Sequence, residues 1–289
     1  MKAEIEVLQP GLFSSIQDVG RNRFLKYGVP MSGVMDLYAA KMANLILQNI
    51  PDSAVLEITQ MGPKLKFSDP VKIAIFGASL SPKINNLKIE NNKVYKIEAG
   101  DELSFGKRQV GCRAYLAISG GFKTEKILKS RSWFEGITDN FKLVKAMKLP
   151  YESTNEAKTE INASIKFNSE YLVTSEIEIF PGPEFYLLTE NEQEMLRSRI
   201  FSIDKNNNRM AIQLQEIMEN NLQPIITGPV LPGSVQLTPS GKLIVLMRDC
   251  QTTGGYPRVM QLSETGMNRI AQKIMGDSVS FAFLESPHF

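Results

Sequence analysis

With 289 residues, the chain has room for two domain-sized bodies or one large fused one. Its 43% hydrophobic and 22% charged residues are those of a globular protein and exclude a disordered or fibrous chain. Lys and Arg number 33 against 31 Asp and Glu, so net charge gives no reason to expect nucleic acid.

No apolar run approaches the roughly 18 residues that span a bilayer. The N-terminal MKAEIEVLQPG carries acidic residues where a signal peptide needs an apolar core, so a cytoplasmic protein is expected. Cys112 and Cys250 make no disulfide framework and suit a reduced compartment. The single histidine, His288, disfavours Ser-His-Asp and Cys-His nucleophilic arrangements and a His-rich metal site; no metal is expected. It also leaves Cys250 without a base to activate it. Neither a GxxxxGKS/T loop nor a GxGxxG turn is present. Gly228 to Ser234 has the glycine spacing of the former, but it lacks the lysine and carries two prolines.

In chain order, Ala3–Val7 and Leu12–Ile16 read as strands separated by Pro10-Gly11. A long glycine-punctuated loop follows, carrying Asp18, Arg21 and Asp36. Asp36 is placed to cap the apolar helix expected over Leu37–Leu47. Short strands are predicted at Val55–Thr59, Lys64–Phe67, Val71–Phe76, Val94–Ile97, Glu102–Phe105 and Arg113–Ile118. So many short strands with so few helices indicate a barrel or sandwich. Ser119-Gly120-Gly121 reads as a tight turn or a close-approach loop.

Residues 1–150 thus form an N-terminal strand-rich half, and the polar stretch 151–164 a connector. Residues 165–289 form a second half, and the two halves together could make one fused domain. In the second half, strands are expected at Tyr171–Thr174 and Ile177–Phe180, and a helix at about Glu184–Ile200. A turn at Asn206-Asn207-Asn208 precedes a strand from Arg209 to Leu214, and a helix (Gly266–Met275) and a strand (Ser278–Leu284) close the chain. Lys145-Ala146-Met147-Lys148 echoes the sequence at which biotin is attached. Pro150 and the connector stand where a second hairpin strand would be needed, so no covalent biotin is expected on Lys148.

The stretch Leu243–Pro257 concentrates the chemistry. An unbroken apolar run, Leu243–Met247, reads as a strand buried on both faces and stops at Arg248-Asp249. Gln251, Thr252, Thr253, Gly254, Gly255 and Tyr256 then supply an amide, two hydroxyls and two residues without Cβ, through which backbone N–H groups can approach an oxyanion. A polar turn is the plainer reading of the same residues.

These residues, together with Gln17–Arg21, Gly28–Asp36, Leu56-Glu57, Gly62-Pro63, Gly120-Gly121, Gly182-Pro183 and Asn208-Arg209-Met210, resemble the biotin-dependent carboxyltransferase, or allophanate hydrolase subunit 2, family. The resemblance runs in order from about residue 9 to residue 283. Lys129 and Ala211 stand where members carry glycine, and Phe141–Leu149 lacks their Gly-Asp. The resemblance implies a mainly β chain of cyclophilin-like barrel architecture. It implies a subunit of an ATP-dependent 5-oxoprolinase complex that hydrolyses 5-oxoproline to glutamate. Its partners would be a second, related member of the same family pair and a larger lactam-utilisation subunit, with ATP as co-substrate of the complex.

The alternatives are the carboxyltransferase part of a urea-type biotin carboxylase and a regulatory protein that antagonises a kinase inhibitor. In the hydrolase reading, Asp249, Thr253 and Arg209 are the catalytic candidates. Gln251, Thr252, Gly254, Gly255 and Tyr256 are the substrate-binding candidates, with Asp36, Arg21 and Asp18 behind them.

Overall fold

The structure is a computed structural model in which residues 3–153 and 166–285 are described. His288 and most of the expected connector lie outside them. The chain divides into two compact units, one of Met1–Arg21 with Ser32–Leu172 and one of Asn22–Met31 with Val173–Phe289.

The first unit contains β1 (Ala3–Gln9), β2 (Phe13–Gln17), α1 (Leu37–Ile46), β3 (Val55–Thr59), β4 (Lys64–Phe67) and β5 (Val71–Ser79). It continues through β6 (Lys83–Ile84), β7 (Leu87–Lys88), β8 (Val94–Ile97), β9 (Glu102–Ser104), β10 (Val110–Ile118) and β11 (Lys148–Tyr151). Two sheets result, ordered β11-β1-β4-β9-β6-β7 and β2-β3-β10-β5-β8. In β1, Ala3, Ile5 and Val7 are buried while the residues between them are not, the period-two signature of a sheet with one face in the core. Between the sheets lie Ile5, Leu56, Ile58, Leu65, Ile73, Leu116 and their neighbours. Helix α1 turns Ala39, Ala40, Ala43 and Ile46 inward, and the three alanines let it lie close on Phe76, Tyr115 and Ala117.

The sequence places the β11 segment in the tail of the first half, and the structure makes it an edge strand. Tyr151 pairs with Ala3 and Lys148 with Glu6, and the Lys148 ammonium is 3.0 Å from the Glu4 carboxylate. The strand expected at Tyr171–Thr174 is instead a short 3-10 turn, Glu170–Leu172, which buries Tyr171 and Leu172. The Tyr171 hydroxyl hydrogen-bonds within this unit, an end that its β propensity did not reveal.

The second unit contains β12 (Glu176–Pro181), α2 (Glu190–Ser198), β13 (Phe201–Asn207), β14 (Ala211–Ile217), β15 (Gly228–Pro229) and β16 (Ser234–Leu237). It ends with β17 (Lys242–Leu246), β18 (Thr253–Gly254), β19 (Arg258–Leu262), α3 (Glu264–Ile270) and β20 (Ser278–Phe283). Seven of these strands close a barrel in the order β12-β19-β16-β17-β14-β13-β20, with β12 and β20 parallel at the seam. Ile177, Ile203, Leu214, Val235, Leu243, Val245 and Val279 are fully buried and supply its core. Closure leaves no unpaired edge in this ring.

Two helices are shorter than the periodicity suggests. The expected helix over 184–200 becomes a 3-10 turn, Phe185–Leu187, followed by α2, because Thr189 and Glu192 form a reciprocal capping box that starts a new helix at Glu190. The helix expected at Gly266–Met275 begins earlier, where the Ser263 side chain accepts from the Gly266 N–H, and it ends at Ile270. The strand expected from Arg209 begins at Ala211, leaving Arg209 in the turn. Asn206 and Asn207 belong to β13 rather than to that turn.

Candidate functional site

Strand β17 positions the site. Leu243 and Val245 point into the barrel, while Ile244 and Leu246 face outward against Val230, Cys250 and Ala211. The outward cover comes from β15 and β18, which pair Gly228 with Gly254 and Pro229 with Thr253. The strand is therefore covered on both faces towards its end, with Ile244 half-buried.

At the end of β17 the chain meets the turn between β13 and β14. The Met247 N–H donates to the Met210 carbonyl (2.8 Å) and the Asp249 N–H to the Arg209 carbonyl (2.9 Å). Asn208 shapes that turn, its Oδ1 accepting from the Met210 and Ala211 N–H groups at 2.8 and 3.0 Å. The two backbones thus hold the side chains face to face. Arg209 Nε donates to Asp249 Oδ2 at 2.7 Å and Nη2 to Oδ1 at 3.0 Å, a two-pronged ion pair. The side chains are only 8% and 12% exposed, so the pair is shielded from salt but touches solvent.

Beyond Asp249 the chain doubles back as an exposed bend. Gln251, Thr253 and Tyr256 are exposed, and Thr252, Gly254 and Gly255 are half-buried. The Thr252 carbonyl accepts from the Val230 N–H at 3.1 Å. With that bond and the Gly228–Gly254 pairing, antiparallel alternation commits the Gly254 N–H to the Gly228 carbonyl. The expectation that Gly254 offers its N–H to an oxyanion is corrected accordingly. Gly254 is needed for space instead, since a Cβ there would lie 2.5 Å from Gln236 Nε2 and 3.1 Å from Val230 Cγ1. Gln236 is itself buried and donates to the Tyr256 carbonyl at 3.3 Å.

A second two-pronged pair clamps the far side. Arg258 Nε and Nη2 donate to Glu184 at 2.9 and 2.7 Å, and Arg258 Nη1 donates to the Pro229 carbonyl at 2.8 Å, tying the pair to β15. Hydrogen bonds from Arg258 hold the Glu184 carboxyl below its ordinary range. Gln236, Glu184 and Arg258 escaped the sequence reading. The Gly182-Pro183-Glu184 and Pro257-Arg258 junctions were the only local signals, and neither names its partner.

Cys250 lies under the bend, 4% exposed. Burial, reinforced by the Asp249 carboxylate, pushes its thiol up to about 12, so it is protonated and inert near neutrality. Among the described residues, no group of three or more His, Cys, Asp or Glu is arranged to hold a metal ion.

Asp18, Arg21 and Asp36 lie in the first unit, and each has structural work there. Asp36 is fully buried: Oδ1 accepts from the Ala39 N–H at 3.0 Å as the cap of α1, and Oδ2 accepts from the Tyr171 hydroxyl at 2.6 Å. Its N–H donates to the Tyr115 hydroxyl (2.8 Å), which in turn donates to Glu57 (2.9 Å). As a substrate ligand Asp36 is corrected, because both oxygens are engaged out of contact with solvent. Arg21 is 1% exposed and donates to the Ser132 carbonyl, which also removes it from direct substrate contact. Asp18 organises the neighbouring loop. Its carboxylate accepts from the Gly20 and Arg131 N–H groups and from the Ser130 and Ser132 hydroxyls, all at 2.5–2.8 Å.

A closed seven-stranded barrel together with a separate two-sheet unit is the fold of a carboxyltransferase domain. The profile of that family, carboxyltransferase domain, subdomain A and B, matches residues 27–283, and the chain belongs to it. It is similar to the C subunit of 5-oxoprolinase from Escherichia coli (strain K12), with 28% identity covering 96% of this chain and 90% of that protein. The equivalent protein of Haemophilus influenzae (strain ATCC 51907 / DSM 11121 / KW20 / Rd) is 26% identical over the same shares. Urea amidolyase of Lachancea kluyveri is 43% identical over 130 residues, 45% of this chain but 7% of that protein. Among solved structures, the K. lactis urea amidolyase matches with a TM-score of 0.85 and 27% identity, covering 99% of this chain and 19% of that one. Another, 23% identical with a TM-score of 0.85, shares the fold, and this chain spans 55% of its length. Among the described residues no helix is long and apolar enough to cross a membrane.

Proposed function

We propose that this chain is one component of an ATP-dependent 5-oxoprolinase, active in the cytoplasm in complex with a related member of the same family pair and a larger lactam-utilisation subunit. The observation that carries the reading is the shielded Arg209–Asp249 pair holding the Gln251–Tyr256 bend outward. The near-complete mutual coverage with two proteins named for the C subunit of 5-oxoprolinase supports it, since the urea enzymes match only as small parts of longer chains.

A lactam presents an N–H donor beside a carbonyl whose oxygen gains negative charge as water adds. Asp249, fixed in orientation by the guanidinium, keeps lone pairs to accept the lactam N–H. The Thr252 and Thr253 hydroxyls and the Gly255 N–H are suited to donate to the carbonyl oxygen, where fixed dipoles stabilise the developing charge. Gln251 and Tyr256 flank the same space. ATP enters as co-substrate of the complex.

The test is to co-purify the chain with its two partners and measure ATP-dependent glutamate formation from 5-oxoproline. Omitting this chain should abolish turnover. Undiminished turnover without it overturns the reading. Carboxyl transfer from carboxybiotin to urea is the second reading, favoured by the 43% identity over 130 residues with urea amidolyase. Carboxylation of urea by the chain with a biotin-carrying partner, and no lactam hydrolysis, would establish it.

A further inference from the structure

The first unit contains a cavity of about 350 Å³ that the lactam reading does not use, lined by Lys123, Lys126, Lys129 and Arg131 against Asp18 and Asp52. The volume is at the small end of metabolite pockets. Cations outnumber carboxylates in this lining. Asp18 keeps its negative charge, but its oxygens are occupied by four hydrogen bonds from the Gly20 and Arg131 N–H groups and the Ser130 and Ser132 hydroxyls. Lys123 leans to Glu152 at 3.2 Å. Among the described residues, Lys126, Lys129 and Arg131 have no ion pair, so three cations stand against two carboxylates, Asp18 and the exposed Asp52.

The loop that carries them is held in a costly shape. Ile127 and Ser130 exchange backbone hydrogen bonds of 2.8 and 3.2 Å around a two-residue turn. Its corners, Leu128 and Lys129, have φ of +51° and +67°. A turn with both corners left-handed ordinarily takes Asn-Gly, and branched or long side chains strain it. Here Asp18 anchors the next residues, and the strained corner puts a lysine on the cavity wall. Strain kept at a charged concavity marks a place where a side chain's position matters more than local comfort.

We propose that this cavity binds the phosphate group of a small anion, through Lys126, Lys129 and Arg131. Phosphate is the ligand class that suits several converging cations, because its oxygens accept from all three at once. Inorganic phosphate and the terminal phosphate of a nucleotide share this chemistry. The proposal does not rest on the lactam reading, which concerns residues of the second unit.

The test is calorimetric titration of the full chain with inorganic phosphate and, separately, with ATP, at constant ionic strength. Phosphate-dependent binding should weaken about tenfold for each cation removed by Lys126→Ala, Lys129→Ala or Arg131→Ala. The control double variant Lys66→Ala/Lys88→Ala should bind as the parent does. Lys129→Gly separates binding from folding, since glycine relieves the left-handed corner: its melting temperature should hold or rise while affinity falls. Tighter binding of ATP than of phosphate assigns the site to a nucleotide, and equal affinity assigns it to the phosphate group alone. Absence of binding of either compound below about 10 mM overturns the proposal, as does equal weakening by the control pair.

Discussion

Replacing Arg209 by alanine removes both prongs from Asp249 and leaves a carboxylate that is 12% exposed without the guanidinium it faces. Breaking a buried pair from one side costs about 3–5 kcal/mol, and the residual solvent contact here favours the lower figure, about 3 kcal/mol. Arg209→Lys keeps the charge but cannot fork, so it loses one of two charge-assisted bonds, about 1.5 kcal/mol. Arg209→Ala combined with Asp249→Ala removes the orphaned charge and should be less destabilised than the sum of the single variants, by about 1–3 kcal/mol. Urea unfolding of the purified chain measures these differences, and turnover of the reconstituted complex measures the functional half. Arg209→Lys should fold well yet lose most turnover, because the Asp249 carboxylate is no longer held in one orientation. An additive double variant, or an Arg209→Ala chain within about 0.5 kcal/mol of the parent on the same scale, would refute the account.

Asp36→Ala should cost about 2.5–4 kcal/mol, from the cap of α1 and the Tyr171 hydroxyl bond, whereas Asp36→Asn, which still caps, should cost far less. Turnover lost in Asp36→Asn at unchanged stability would return this residue to the substrate site. The depressed Glu184 carboxyl contributes stability that is present above its unfolded value near 4.5 and is lost as pH falls through the lower folded value. The stability gap between parent and Glu184→Gln should therefore shrink as unfolding is measured from about pH 6 down to about pH 3. Neither Cys112 nor Cys250 should react with a thiol reagent at about pH 8 in the folded chain, since both are buried and raised, Cys250 to about 12. Prompt labelling before denaturant is added would contradict that burial.

Elements governed by near neighbours were legible in the sequence. The strands from Val55 to Ile118 were marked as short runs separated by turn residues, and Asp36 sits one residue before a helix whose cap it is. The bend after Asp249 was visible from its composition, because hydroxyl and glycine content needs no partner to be read. What stayed hidden was pairing at long range. Arg209 and Asp249 are 40 residues apart, and Glu184 and Arg258 are 74 apart. With so many Lys, Arg, Asp and Glu in the chain, neither pair stands out. The same limit misplaced the Gly254 N–H, which is claimed by a carbonyl from Gly228 that only the folded β15–β18 pair brings alongside. Arg21 and Asp36 look like site residues in a glycine-rich loop, yet that loop buries them.

The seam between β12 and β20 has a consequence for synthesis. The ring begins with residues 176–181 and is completed only by residues 278–283, so nascent chain must wait for its final strand. At ribosomal speeds of about 5–20 residues per second, the roughly hundred intervening residues take about 5–20 s to emerge. During that interval β12 and β13 each present the ladder that β20 will later occupy, and chaperone protection is most needed then.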